Sequence, residues 1–170
     1  MTVIATRYDV RPIDPEVLAG LRSSDDAGRA PRLVTDQAGG SPLRCCLRPS
    51  HPGEVLALVS YAPLRRWARQ HDVDPGAYDE VGPVFIHPQE CSGASGDGLP
   101  ADLLRSTRVF RCYNRLGAIA GGRVVTPDDD PERVLDELFG EADVVLVHVR
   151  AVDFGCFTFE VRPVRDDRRP

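Results

Sequence analysis

Two histidines lie on strand-like sequence, and each is followed closely by a cysteine. His87 ends the apolar run Val-Phe-Ile-His, and Cys91 comes four residues later. His148 lies in a second apolar run and is followed by Cys156. Imidazole exchanges protons near neutral pH, and thiolates act as nucleophiles or metal ligands. The two runs therefore predict a polar cluster on a β scaffold, in which imidazoles distant in the chain become neighbours.

The first function that these residues suggest is a pocket for a small anionic metabolite. Arginine offers a planar, bidentate fork to a carboxylate or phosphate, and a histidine beside it could act as general acid or base. The pocket would be lined by Arg44, Tyr78, His87, Arg111, His148 and Arg150. The competing interpretation is that the arginines form structural ion pairs with Glu54, Glu80 and Glu160.

Two further functions use the thiols. His87, Cys91, His148 and Cys156 could hold one metal ion, since zinc accepts two nitrogens and two thiolates in a tetrahedron. Alternatively, Cys91 or Cys156 could be a nucleophile activated by a histidine. We take Cys156 as the candidate catalytic thiol, because the expected hairpin sets it beside Arg150, whose positive charge favours a thiolate. The residues identify no cofactor.

A fourth possibility is that the protein is not an enzyme. The same residues could form a buried hydrogen-bond network in a binding or interaction module. Alanine variants of His87 and His148 separate the two cases: a site predicts lost ligand binding with near-normal melting, and a network predicts a large loss of stability.

Composition limits the partners. All 21 basic residues are arginine, so no lysine is available for a Schiff base or a phosphate-binding loop. A net charge of −5 argues against nucleic-acid binding, which needs a basic face. No apolar run is long enough to cross a membrane, and no secretory signal is evident, so we expect a cytoplasmic protein. The sequence indicates no particular oligomeric state.

The cysteine spacing predicts no disulfide framework. Five cysteines, an odd number, occur without an export signal, and no C-x-x-C pair is present. Thiols remain reduced in the cytoplasm. The simplest expectation is that most of these side chains fill space in the core.

The apolar patterns predict a series of short elements. Helices are expected after Asp14-Pro15, over residues 63–71, and from Asp130-Pro131 to Gly140, on the basis of their start signals and apolar stripes. Strands are expected over residues 2–8, 54–61, 82–87, 107–113 and 118–125. Loops are expected over residues 23–42 and 92–98, the first being a mobile lid or partly disordered. Residues 165–170 read as a charged tail.

The last two strands predict a hairpin with a definite register. If residues 151–155 form the loop, Arg150 lies opposite Cys156 and His148 opposite Thr158. That register places Phe157 and Phe159 on one face, opposite the valines of the preceding strand. The other face would carry His148, Arg150, Cys156, Thr158 and Glu160.

These elements together predict an α+β fold: a largely antiparallel, curved sheet with three or four short helices packed on it. The length suits a single domain, which we expect to span residues 1–164.

Three groups of motifs resemble the bacterial domain-of-unknown-function family 1203. They are Arg44-Cys-Cys-Leu-Arg48 with Pro52-Gly-Glu54; Tyr78-x-Glu-x-Gly-Pro-Val-Phe-Ile-His87 with Cys91; and His148-Val-Arg150 with Gly155-Cys-Phe157. The resemblance runs from about residue 43 to 162 and implies a small, single-domain bacterial protein. It also implies a set of motif residues: Arg44, Cys46, Glu54, Tyr78, His87, Cys91, Arg111, His148, Arg150 and Cys156.

Overall fold

The chain folds into two five-stranded sheets and three α-helices, as seen in a computed structural model that describes residues 7–96 and 98–164. The strands are β1 Tyr8–Arg11, β2 Arg32–Asp36, β3 Pro42–Leu43, β4 Arg48–Pro49, β5 Glu54–Tyr61, β6 Gly82–Ile86, β7 Arg108–Tyr113, β8 Ile119–Val125, β9 Leu146–Ala151 and β10 Phe157–Pro163. The helices are α1 Pro15–Leu21, α2 Pro63–Gln70 and α3 Pro131–Phe139, and two 3₁₀ turns span Gly76–Tyr78 and Ala101–Leu104. This confirms an α+β fold.

The two sheets differ in strand direction. The first is antiparallel with the order β1-β10-β9-β7-β8. The second has the order β2-β5-β6-β3-β4, and it is mixed because β3 runs parallel to β6. The sequence predicted one sheet; the strands divide into two because β5 and β6 pair with each other and with short strands from residues 32–49 rather than with β7–β10.

Proline starts all three helices, as the sequence predicted for α1 and α3. Proline suits the first turn of a helix, where its missing N–H would have no intrahelical partner. At α3, the Asp130 carboxylate also accepts hydrogen bonds from the N–H groups of Glu132 and Arg133. Asp14 precedes α1 without making such a bond. Local sequence therefore sets these three helix starts.

Two local predictions need correction or qualification. The predicted loop over residues 23–42 contains β2, which pairs with β5 from Arg32 opposite Leu58 to Asp36 opposite Glu54. The first strand runs from Tyr8 to Arg11, later in the chain than predicted. Residues 2–6 of that prediction, and the tail at 165–170, lie outside the described residues.

The first sheet is covered on both faces. On one face, Val147, Val149 and Phe159 pack with residues of α3, including Leu135 and Leu138. On the other, Phe157 packs in a second cluster made mainly by α1, β5 and β6. Both faces of β9 and β10 are therefore buried, which explains why most of their residues, polar ones included, have little exposure.

The C-terminal hairpin forms, but its predicted register is wrong. A bulge between Phe157 and Phe159 pairs Phe157 with Arg150 and then Phe159 with Val149, His148 with Glu160, and Val147 with Val161. The extra residue turns Phe157 and Phe159 to opposite faces of the sheet, one into each core cluster. The prediction assumed unbroken alternation of side chains, which a bulge interrupts.

Within the described residues, no helix has the length and apolar character needed to span a bilayer.

Candidate metal centre

Three cysteines and one histidine come together at one end of the second sheet. Cys45 and Cys46 lie in the turn between β3 and β4, His87 directly follows β6, and Cys91 lies four residues further on. Because β3 pairs with β6, with Leu43 opposite Phe85, the turn after β3 lies beside the end of β6. A single parallel strand contact thus brings residues 45–46 to residues 87–91.

The turn that carries the two cysteines is tight. Its end is held by a hydrogen bond of 2.9 Å from the Leu47 N–H to the Leu43 carbonyl. Leu47 has a φ of 56°, in the left-handed region that non-glycine residues seldom adopt. Such backbone outliers often accompany functional sites, and this one directly follows Cys46.

The potential ligand atoms are close to one another. One atom from each of Cys45, Cys46, His87 and Cys91 lies within 4.8 Å of the other three. The Nδ1 atom of His87 is 3.2 Å from the Cys45 sulfur and 3.8 Å from the Cys46 sulfur. The His87 backbone N–H also donates to the Cys45 sulfur at 3.2 Å.

Glu54 and Arg48 both approach the outer nitrogen of His87. His87 Nε2 lies 2.9 Å from Glu54 Oε1, which can only accept a hydrogen bond, and 3.0 Å from Arg48 Nη2, which can only donate one. A proton on Nε2 satisfies the Glu54 carboxylate, which Arg48 already binds. The Nδ1 atom is then left with a lone pair directed at the thiols. An outer carboxylate that orients a histidine in this way is a common feature of metal sites.

The Glu54 carboxylate is itself held in place. Arg48 donates to both of its oxygens, at 2.7 and 3.0 Å, and the His51 N–H donates at 2.8 Å. The hydrogen bonds from Arg48 are the main cause that lowers the pKa of Glu54 well below its usual value. Glu54 is therefore an ionised and fixed partner for His87.

The three thiols have different environments. The pKa of Cys45 is raised and that of Cys46 is lowered, mainly by the hydrogen bond between the two thiols. The pKa of Cys91 is raised, mainly by burial. Cys45 and Cys46 are 2% and 8% exposed. Cys91 is more open, as is the His87 side chain at 16%.

A cleft of about 650 Å³ lies against the cluster. Cys46, His87 and Cys91 line it, whereas Cys45 does not. Its opposite wall comes from the glycine-rich loop after Cys91 and from the 3₁₀ turn at Ala101–Leu104. Two of the three cysteines therefore border the same opening.

The structure brings together only half of the metal-ligand set that the sequence suggested. His87 and Cys91 are present in the cluster, but His148 and Cys156 belong elsewhere, and their places are taken by Cys45 and Cys46. Adjacent cysteines do not have the C-x-x-C spacing, so the sequence did not indicate Cys45 and Cys46 as ligands. The signal that could have found them is the Cys-Cys pair itself, within Arg44-Cys-Cys-Leu-Arg48.

His148 lies in a separate network at the first sheet. It is completely buried, with ring contacts to Tyr113 at 4.8 Å and Phe157 at 5.1 Å, and its Nε2 lies 3.2 Å from Glu160. Glu160 in turn accepts a hydrogen bond from Arg162. His148 is thus enclosed by core side chains, whereas His87 belongs to the cysteine cluster and lines the cleft beside it.

The predicted anion-binding residues occupy three different settings. Arg111 and Arg150 both donate to the Glu80 carboxylate, at 3.0 and 2.7 Å. Arg44 is 3% exposed and donates to the Phe157 carbonyl at 2.8 Å, and the side chain of Tyr78 is on the surface. Cys156 is half-buried and its sulfur contacts the Phe154 carbonyl at 3.7 Å.

The three glutamates proposed as alternative partners all bind arginine, but partly different ones. Glu54 pairs with Arg48, Glu80 with Arg111 and Arg150, and Glu160 with Arg162. Structural ion pairing is thus confirmed for Arg111 and Arg150.

Fold and site together define a small α+β protein of two packed sheets with a Cys/His cluster at a sheet end. The family model described as "Protein of unknown function (DUF1203)" matches residues 40–163, and the chain belongs to this family. Neither the curated proteins nor the solved structures contain a significant match to this chain. The matched region includes all four residues of the cluster, together with Arg48 and Glu54.

Proposed function

We propose that this protein binds a soft transition-metal ion, with zinc as the first candidate, through Cys45, Cys46, Cys91 and His87. The observation that carries the proposal is the convergence of three sulfurs and one imidazole nitrogen within 4.8 Å. Three thiolates and one histidine are a common ligand set of structural zinc sites. The proposal takes up the metal-binding alternative with a revised set of ligands.

The size of the cluster suits a tetrahedral ion. Zinc–sulfur bonds of about 2.3 Å and zinc–nitrogen bonds of about 2.0 Å imply distances of roughly 3.5 to 3.8 Å between ligand atoms. The ligand atoms are at most 4.8 Å apart, so the longest separation must shorten by about 1 Å, which rotation of the side chains can provide. The orientation of His87 by Glu54 supports the proposal further, because it supplies the lone pair that an ion requires.

The ion would cross-link three segments of the chain. These are the turn after β3, the end of β6 and the loop that follows it. With four protein ligands the ion is coordinatively saturated, which is typical of a structural or regulatory site rather than a hydrolytic one.

The direct test is the metal content of the native protein. We expect one zinc per chain by mass spectrometry of protein purified without chelators. Cobalt substitution should give intense sulfur-to-metal charge-transfer bands and the d–d bands of a tetrahedral site. The variants Cys46→Ser and His87→Ala should lose most of the metal, because each removes one of only four ligands.

Matched controls come from the same residue types outside the cluster. Cys156→Ser alters a half-buried cysteine. His51→Ala alters an exposed side chain but keeps the backbone N–H that donates a hydrogen bond to Glu54. Both should retain the metal. Native and cobalt-treated protein that hold no stoichiometric metal would refute the proposal.

A second candidate is a small carboxylate ligand bound by Arg111 and Arg150. It is favoured by one observation, that these two side chains already hold a carboxylate, that of the half-exposed Glu80. In this proposal Glu80 competes with the ligand. The variant Glu80→Gln should then bind citrate or succinate more tightly than the wild type in calorimetric titrations, and Glu80→Gln with Arg111→Ala should bind neither. Equal, undetectable binding by all three proteins would contradict it.

A further inference from the structure

The cleft beside the cluster gives access to two of its three thiols. Cys46 and Cys91 line this opening of about 650 Å³, and Cys45 lies behind them. Cys46 is buried, at 8% exposed, and Cys91 is half-buried, so Cys91 is the more accessible of the two. A small oxidant entering the cleft therefore meets these two sulfurs first.

The same two thiols are close enough to react with each other. Their sulfur atoms belong to the set in which all potential ligand atoms lie within 4.8 Å. Closing a disulfide of about 2.05 Å requires a movement of under 3 Å. Cys91 lies on a loop outside the strands and helices, so the movement breaks no strand pairing. Cys45 is less suited to the reaction, because it is adjacent to Cys46 in the chain and its sulfur accepts the His87 N–H.

We propose that Cys46 and Cys91 are a peroxide-reactive pair that closes a disulfide and thereby releases the bound metal ion. The disulfide half of this inference stands on the geometry of the thiols and the cleft. The release half rests on the proposed metal binding. The co-substrate is a hydroperoxide, either hydrogen peroxide or a small alkyl hydroperoxide that fits the cleft.

The reaction balances in two steps. In the first, the Cys46 sulfur attacks the terminal oxygen of the hydroperoxide: the O–O bond breaks, an S–O bond forms, and the alcohol or water leaves with a proton. In the second, the Cys91 sulfur attacks the sulfenic acid: an S–S bond forms, the S–O bond breaks, and water leaves with a proton. The two protons come from the thiols in the metal-free protein and from solvent in the zinc-loaded protein, whose cysteines are thiolates. The two thiols lose two electrons and the peroxide gains them.

Oxidation removes half of the proposed ligand set. A disulfide sulfur is a poor ligand compared with a thiolate, so only Cys45 and His87 remain to hold the ion. The metal then dissociates, and the loop after Cys91 becomes tied to the turn between β3 and β4. A thiol reductant with added zinc reverses both changes.

The test treats full-length protein, zinc-loaded and metal-free in parallel, with stoichiometric hydrogen peroxide. Peptide mass spectrometry of an unreduced digest should show one disulfide, Cys46–Cys91, in both samples. A chromogenic chelator should record release of one zinc per disulfide in the loaded sample. Cys91→Ser should form no such disulfide and should stop at the sulfenic acid, whereas Cys156→Ser should behave as the wild type.

The outcomes separate the two proposals. If the protein binds no metal, the metal-free sample still reports whether the pair oxidises. If all five thiols oxidise at similar rates, or if the disulfide involves Cys112 or Cys156, the peroxide inference is overturned while metal binding can still stand. The digest of the wild-type protein by itself shows which two cysteines form the disulfide. A variant that folds poorly therefore does not affect this assignment.

Discussion

At the scale of single residues, the decisive feature of the candidate site is how His87 is held. Its Nε2 lies 2.9 Å from Glu54, and Glu54 is fixed by both terminal nitrogens of Arg48. Its Nδ1 atom therefore faces the sulfurs before any ion arrives. An imidazole that is already oriented costs little to bring into a metal site, because no ring rotation is needed.

This arrangement predicts that Glu54 contributes to metal affinity without being a ligand. Glu54→Gln keeps the size of the side chain but weakens the hydrogen bond from His87 and allows the ring to rotate. We expect zinc affinity to fall about 10- to 100-fold, the usual effect of removing an outer partner. Competition with a chromogenic chelator measures it.

The control for this variant is Glu16→Gln, which changes an exposed glutamate of α1. Its zinc affinity should equal that of the wild type. Since Glu54 also binds Arg48, the melting of metal-free Glu54→Gln must be measured as well. A drop in melting temperature with unchanged zinc affinity would show that Glu54 has only a structural role.

At the scale of elements, the hairpin of β9 and β10 shows what a single extra residue can do. The bulge beside Thr158 sets Glu160 opposite His148 and turns Phe157 against the imidazole ring. The histidine then lies between two aromatic rings with one carboxylate partner. It acts here as a buried packing group with one hydrogen bond.

The surroundings of His148 keep it neutral. Burial is the main cause of the lowered pKa of His148. Glu160 acts in the opposite direction and raises this pKa, whereas the nearby charges of Arg150 and Arg111 lower it further. Its Nδ1 atom is buried without a hydrogen-bond partner, so a proton there would meet no acceptor. The pKa of Glu160 is also lowered, because the hydrogen bonds from His148 and Arg162 outweigh its burial.

These shifts predict a loss of stability in weak acid. Below an unfolded-state pKa of about 6.5, unfolded His148 takes up a proton that the folded form refuses, so the free energy of unfolding falls as the pH decreases. We expect denaturant unfolding to show lower stability at pH 5.5 than at pH 7.5. His148→Gln, which keeps a donor for Glu160 but cannot titrate, should reduce this difference.

His71→Gln is the matched control, since it alters an exposed histidine at the end of α2. It should keep the wild-type dependence on pH. An unchanged difference in His148→Gln would mean that other groups cause the acid sensitivity. Glu160 adds its own loss at lower pH, as its carboxylate is protonated below the range of this comparison.

At the scale of the whole molecule, the proposed metal site and the joint between the sheets lie on the same short turn. Arg44 is next to the proposed ligand Cys45, and its side chain crosses to the first sheet, where it donates to the Phe157 carbonyl. Tyr61 of the second sheet packs on the Phe157 ring at 5.5 Å. A buried arginine that donates to backbone carbonyls stabilises the packing of the segments it joins, because its removal would leave those carbonyls without a hydrogen bond.

This placement links the site to the packing of the sheets. An ion bound after β3 would hold the backbone from which Arg44 extends, and the proposed Cys46–Cys91 disulfide would pull on the same turn. The anion proposal at Arg111 and Arg150 concerns a different contact, in which Glu80 approaches the first sheet from the segment before β6. The two proposed functions can therefore be tested independently.

Much of the fold followed from local patterns in the chain. The proline starts of α1 and α3 and the apolar strand β5 depend on residues a few positions apart, and the structure bears them out. The division into two sheets did not follow, since it depends on which distant strands pair. The hairpin register failed for a related reason: a bulge leaves no clear mark in a pattern of alternating side chains.

For the candidate site, the sequence alone determined which side chains could do chemistry: His87, Cys91 and the acidic and basic residues near them. Only the tertiary structure decided their partners. The parallel contact of β3 with β6 brings Cys45 and Cys46 to His87 across about forty residues of chain, and burial between two sheets removes His148 from solvent. Chemical type is a property of each residue, whereas proximity arises from non-local pairing, which local periodicity cannot encode.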